Sequence, residues 1–281
     1  MTAVHPPRTA VREAVSRALA EDLGVLGDLT ASLLPAGVSV RAALVPRSDG
    51  VLAGRLAAAE AFAQVDPVIT LEWLVDDGDR LTAGHPLAHV DGLLGSVLTA
   101  ERTALNFLCH LSGIATLTRR YVDTAARGSG RARIRDTRKT TPGLRALEKA
   151  AVRAGGGVNH RASLSDGILV KDNHLAGLSI EEAVGAARRA WPGRPVQVEC
   201  DTPAQLKEAL AAGAELVLLD NMSPDEVAGC VTEVGGAAIV EVSGGVTLET
   251  VAAYAAAGAD LISVGALTHS APVLDIGLDL R

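Results

Sequence analysis

The chain has 281 residues, with 26 Lys plus Arg against 33 Asp plus Glu and a formal net charge of −7. That balance argues against a general nucleic-acid or membrane-surface binder, which needs a basic excess, and two each of Trp, Tyr and Phe leave too few rings for base-stacking platforms. Cys109, Cys200 and Cys230 form no C-x-x-C pair, no run approaches the ~18 apolar residues of a membrane span, and the first residues lack a secretory apolar core. The expectation is a cytoplasmic protein with reduced thiols and neither a disulfide framework nor a zinc knuckle.

In chain order, residues 9–24 place Val11, Ala14, Val15, Ala18 and Leu19 on one helical stripe. Residues 38–55 alternate like strands, 56–65 read as a helix, and 68–90 read as two or three short strands with turns at Asp77-Gly78 and Ala83-Gly84. That last stretch has the look of a lipoyl-type β module, yet no Lys occurs between residues 1 and 138 to carry the group. His85 and His89 have the spacing of a helical metal pair, but Pro86 argues against a helix there. Residues 99–126 read as a long helix with Thr99 as N-cap and Arg102 in its first turns. Cys109 and His110, being adjacent, point to different faces of it.

From residue 133 onward, short apolar strands ending in polar residues alternate with helical stretches. Strands are expected at 133–137, 167–172, 196–200, 216–220, 239–243 and 261–265, and Glu199, Asp220 and Glu241 recur every 21 residues. Alternating βα units predict a parallel sheet, and the lack of G-x-G-x-x-G weighs against a dinucleotide-binding sheet. In a β/α barrel the polar residues at the C-terminal strand ends form the catalytic face.

Three groups of residues could carry chemistry. Arg138, Lys139, His160, Arg161 and Lys171 gather basic character in an acidic chain, which focuses a polyanion if they meet at one barrel mouth; taken singly, each reads as ordinary solvated surface charge. Glu199 and Asp220 end neighbouring strands and suit ribose hydroxyls or Mg²⁺; for Asp220, capping of the following helix is the competing reading. Ser243-Gly244-Gly245, and the later Val264-Gly265-Ala266 with His269, follow strands and precede helices, the usual place for a phosphate.

At this point the stretches ERTALNFLCHLSGIAT, DTRKTTPGLRALEKAAVRAGGGVNHR, ILVKDNH, VQVECDT, LLDNMSP, VEVSGGV and VGALTHSAPVLDIGLDL, with EDLGVLGDLT near the start, resemble the quinolinate phosphoribosyltransferase family. The resemblance implies an α/β fold: an N-terminal α/β sandwich domain over 1–112, then an incomplete TIM-like β/α barrel over 113–281 whose last residues pack back on the first domain. It implies transfer of phosphoribosyl from phosphoribosyl diphosphate to quinolinate with decarboxylation, giving nicotinate mononucleotide, diphosphate and CO₂, with Mg²⁺ and no organic cofactor. Arg138, His160, Arg161 and Lys171 would meet the quinolinate carboxylates. Arg102 would join them from the partner subunit of a homodimer, or of a larger assembly of dimers such as a hexamer. Lys139 would face the diphosphate, and Thr137 would also touch substrate. Glu199 and Asp220 would hold the ribose hydroxyls and associated Mg²⁺. Ser243, Gly244, Gly245, Val264, Gly265, Ala266 and His269 would hold the 5′-phosphate. Lys139, Lys171, Glu199 and Asp220 are the expected catalytic set. Ser163 departs from the family's usual glycine within the HRxGL motif.

The alternatives are a related phosphoribosyltransferase acting on another anionic acceptor such as nicotinate, an aldolase-type barrel with Lys171 as Schiff base, and a non-catalytic module. Neither a nucleic acid nor a membrane partner is expected.

Overall fold

The computed structural model describes residues 4–175 and 177–280. Helix α1 (Arg8–Leu23) buries Val11, Ala14, Val15 and Leu19 along one stripe and stops at Gly24. Strand β1 (Ser39–Pro46), the short β2 (Gly50–Val51), helix α2 (Arg55–Val65) and strands β3 (Thr70–Trp73), β4 (Arg80–Leu81) and β5 (Ala88–Leu93) follow. His89 lies in β5 and His85 in the turn before it, so the pair has no helical spacing.

Helix α3 runs from Leu94 to Gly128 and begins ahead of the expected Thr99. Its start is set by tertiary contacts that local sequence does not display: Leu94 N–H donates to Val38 O at 2.8 Å, and the Thr99 hydroxyl donates to Asp28 Oδ2 at 3.0 Å, so it caps no helix.

The chain then forms β6 (Arg133–Arg135), α4 (Arg145–Ala154), β7 (Ile168–Val170), the single turn α5 (Asp172–Leu175), α6 (Ile180–Ala190), β8 (Val196–Cys200) and α7 (Pro203–Ala211). After these come β9 (Leu216–Asp220), α8 (Pro224–Val234), β10 (Ile239–Ser243), α9 (Val251–Ala256), β11 (Leu261–Ser263), the four-residue α10 (Ala266–His269) and β12 (Ile276–Leu280). β8, β9 and β10 occupy the expected residues. β6, β7 and β11 are shorter than expected; β6 and β7 stop just before Asp136 and Lys171. Ser179, Thr202 and Ser223 cap α6, α7 and α8 through reciprocal bonds with Glu182, Gln205 and Glu226.

Two compact units result. The first comprises residues up to Arg119, Thr140–Gly156 and everything from Leu267. Its antiparallel sheet has the order β12-β1-β5-β3, with Ala42 opposite both Leu280 and Val90. The segment leading to β12 lies directly on α3: Leu274 N–H donates to Cys109 O at 3.0 Å, and a Cβ on Gly113 would collide with Pro272 O. The second unit, Arg120–Lys139 with Gly157–Ala266, is built on a parallel sheet of six strands in the order β6-β11-β10-β9-β8-β7. Six strands with helices outside them make an incomplete β/α barrel. Its strands are near-continuously apolar, as burial on both faces demands: Val196, Val198, Val217, Leu219, Val240, Val242 and Ile262 are all buried. No described helix is long and apolar enough to cross a membrane.

Candidate active site

The C-terminal ends of the barrel strands open into a cavity of about 390 Å³. Thr137, Arg138 and Lys139 line it from the loop after β6, His160 and Arg161 from the loop before β7, and Lys171 from just beyond β7. Glu199 enters from β8, Asp220 from β9, Glu241 and Ser243 from β10, and Ser263 from β11.

Its floor is a buried carboxylate. Glu241 is fully buried and accepts hydrogen bonds from Arg135 Nη1 at 2.6 Å, Gln197 Nε2 at 2.7 Å and the Ser263 hydroxyl. His160 Nδ1 accepts the Arg161 N–H at 2.7 Å. The imidazole's Nε2 lies 3.5 Å from Glu241 Oε1, so both ring nitrogens are engaged inside the site. Asp136, also fully buried, accepts the His160 N–H at 2.8 Å and the Asn159 amide, which fixes the loop that delivers His160 and Arg161.

Above the floor stand permanent charges. Lys171 Nζ is ion-paired with Glu199 Oε2. Arg161 donates to Gly167 O at 2.9 Å, and its pKa is pushed down by burial and then by the positive charge of Arg138. Two guanidinium groups that line one cavity and repel one another favour an anionic ligand there. The Arg161 loop is closed by Asp166, which accepts the N–H groups of Ala162 and Ser163 at 2.7 and 3.1 Å and the Ser163 hydroxyl at 2.8 Å. Ser163 therefore adds a side-chain bond that a glycine could not make. Burial pushes the Cys200 thiol up to about 12, so the cysteine beside Glu199 is no nucleophile.

Capping of α8, the competing reading for Asp220, falls to Ser223. Asp220 Oδ2 instead accepts from Asn221 Nδ2 at 2.7 Å. Two expectations about phosphate-binding backbone need correction. Gly244 and Gly245, with φ of 90° and 61°, form a turn several residues ahead of α9, which starts at Val251, so their N–H groups are not at a helix N-terminus. The Val264 N–H is taken by Arg135 O at 2.9 Å and extends the sheet ladder. Gly265 follows it and Ala266 opens α10. Arg102 and His269 belong to the first unit: Arg102 is exposed on α3, and His269 Nδ1 shares a hydrogen bond with Ser270 Oγ at 2.6 Å.

Sequence reading missed Asp136, Arg135, Gln197 and Asn221, and noted Glu241 only through the 21-residue spacing. As for a metal, no cluster of three or more His, Cys, Asp or Glu ligands occurs among the described residues. Two carboxylates at adjacent strand ends fit Mg²⁺ of the kind that uses one or two carboxylates together with substrate phosphates.

An incomplete β/α barrel whose strand ends carry Arg138, Lys139, Arg161 and Lys171 around paired carboxylates defines an enzyme of polyanionic substrates. Family models for the C-terminal and N-terminal domains of quinolinate phosphoribosyl transferase match residues 114–279 and 28–112. The chain belongs to the quinolinate phosphoribosyltransferase family. It is 49% identical over 280 residues to the carboxylating nicotinate-nucleotide pyrophosphorylase of Mycobacterium leprae, covering 96% of this chain and 97% of that one. It is 36% identical over 295 residues to the decarboxylating quinolinate phosphoribosyltransferase 1b of Nicotiana tabacum, covering 98% and 83%. The solved nicotinate-nucleotide pyrophosphorylase of Francisella tularensis superposes with a TM-score of 0.95 at 37% identity, covering 99% of this chain and 98% of that one.

Proposed function

We infer that this chain transfers the phosphoribosyl group of phosphoribosyl diphosphate to quinolinate and decarboxylates the adduct, giving nicotinate mononucleotide, diphosphate and CO₂ for NAD synthesis. The observation that carries this reading is that Arg138, Lys139, Arg161 and Lys171 line one cavity together with Glu199 and Asp220. Planar carboxylates suit guanidinium forks, so the aromatic diacid lies against the two arginines and Lys171. Glu199 and Asp220 take the ribose hydroxyls, and the Ser243–Gly245 turn takes the 5′-phosphate. Lys139 meets the diphosphate and stabilises its departing charge.

Glu199 and Asp220 would hold Mg²⁺ together with the diphosphate, and the ion would supply charge neutralisation for the leaving group. The pyridine nitrogen forms the new bond to C1 through an oxocarbenium-like state, and no protein nucleophile is needed. The C2 carboxylate then leaves as CO₂, its electron pair held beside the quaternised nitrogen until a proton replaces it. The chain contributes orientation and fixed charge. Arg102, exposed on α3, acts from a second copy of the chain, which makes a homodimer the smallest active unit.

The test is chromatographic detection of nicotinate mononucleotide from quinolinate, phosphoribosyl diphosphate and Mg²⁺, with nicotinate as control acceptor. Product from quinolinate alone is expected. A cationic site left half-filled by a monoacid loses roughly 2–5 kcal/mol of binding, so equal turnover of both acids refutes the assignment.

A further inference from the structure

Asn221 has a left-handed backbone, at φ 57°, and is the one non-glycine residue with positive φ among the described residues. An L-residue holds that conformation only where its surroundings over-determine it. Three contacts do so here. The Asn221 N–H donates to Ser243 O at 2.9 Å, one step past the end of the β9–β10 ladder, where Asp220 stands opposite Ser243. Its side-chain Nδ2 donates to Asp220 Oδ2 at 2.7 Å. Its Oδ1 occupies the notch at Gly244, where a Cβ would collide with it. One residue thus grips both the Asp220 carboxylate and the start of the Ser243–Gly245 turn.

We propose that Asn221 is a positioning residue for phosphoribosyl diphosphate: it sets the Asp220 carboxylate at a fixed distance from the glycine turn, so that ribose hydroxyls and 5′-phosphate are met together. The inference rests on the function proposed above. Gly244 belongs to the same device, because any side chain there would displace the Asn221 amide. Asparagine is suited to the position on two counts: it tolerates the left-handed region better than most residues, and its amide supplies a donor to Asp220 that aspartate, its nearest rival in that region, lacks.

Asn221→Gly tests this without backbone strain, since glycine adopts φ 57° freely while the amide is lost. Its thermal midpoint should match wild type. KM for phosphoribosyl diphosphate should rise about tenfold, the scale of one hydrogen bond to a charged group, with KM for quinolinate unchanged. Asn221→Asp, which sets a second carboxylate against Asp220, should raise it further. Calorimetric titration with phosphoribosyl diphosphate and Mg²⁺ should show the same loss of affinity without turnover. A wild-type KM for phosphoribosyl diphosphate in Asn221→Gly overturns the inference, as does an equal rise for both substrates. Wild-type enzyme that makes no nicotinate mononucleotide in the same assay overturns the function instead.

Discussion

Replacing Glu241 by leucine should be the most damaging single change in the barrel interior. The carboxylate is fully buried and holds Arg135, Gln197 and Ser263, which come from three different strands. Removing it leaves the largely buried Arg135 guanidinium without its counter-charge. Breaking a buried ion pair from one side costs about 3–5 kcal/mol. A protein of this size loses about 2–4 °C of thermal midpoint per kcal/mol, so Glu241→Leu should melt about 6–20 °C lower. Arg135→Met should be comparably destabilised, for the mirror-image reason. The double variant, in which neither charge is buried alone, should lose less than the two single losses together, by about 1–3 kcal/mol of coupling. Differential scanning calorimetry of the four proteins at one pH measures all of this. A Glu241→Leu midpoint within about 2 °C of wild type, or single losses that simply add, would refute the view that Glu241 is the charged keystone of the site floor.

If Arg102 acts from a second copy, mixing inactive Arg102→Ala and Lys171→Ala chains under exchange should restore roughly a quarter of wild-type activity, because half the dimers are mixed and each of those has one intact site; verified exchange without recovery places Arg102 elsewhere. Asp166 is held below its ordinary 3.8 by the Ser163 hydroxyl and then by backbone N–H groups. A depressed carboxylate stabilises the fold above its unfolded pKa and loses that contribution as pH falls through the folded value. The midpoint gap between wild type and Asp166→Asn should therefore be steady near neutrality and shrink once the pH passes below 3.8; a gap that persists into strong acid shows that the loop does not depend on the charge. Iodoacetamide at mildly alkaline pH should leave Cys200 unlabelled in the native protein, since burial holds its thiol protonated; peptide mapping that finds it labelled contradicts the buried placement.

The parts of this fold legible in sequence were those in which one residue's chemistry sufficed. β8, β9 and β10 could be placed because strands buried on both faces read as apolar runs ending in a polar residue. Lys171, Glu199 and Asp220 were legible for the same reason, since each sits at or just past such a strand end, whereas Arg161 lies in the loop before β7. The start of α3 was not, because it depends on Val38 and Asp28, far away in the chain. Nor was the role of Glu241: its donors Ser263, Gln197 and Arg135 lie 22, 44 and 106 residues away, and only closure of the sheet brings them to one carboxylate. The Gly244-Gly245 turn misled because a glycine pair before a helical stretch resembles a helix N-terminus, whereas α9 begins later, after Thr250. Asn221 gave no signal at all, since an asparagine after a strand is also an ordinary turn residue.

The pairing of β1 with β12 has a consequence for the order in which the protein is made. β1 ends at Pro46 and its partner strand spans Ile276–Leu280, so nearly the whole chain is synthesised between them. While the ribosome works through the barrel segments, β1 keeps one edge bare, and a bare apolar edge invites pairing with another nascent chain. The barrel strands from β8 to β11, each joined to the next by a single helix, can assemble during that interval. The antiparallel sheet has to wait for β12, so its completion is the pairing of greatest sequence separation in the sheet.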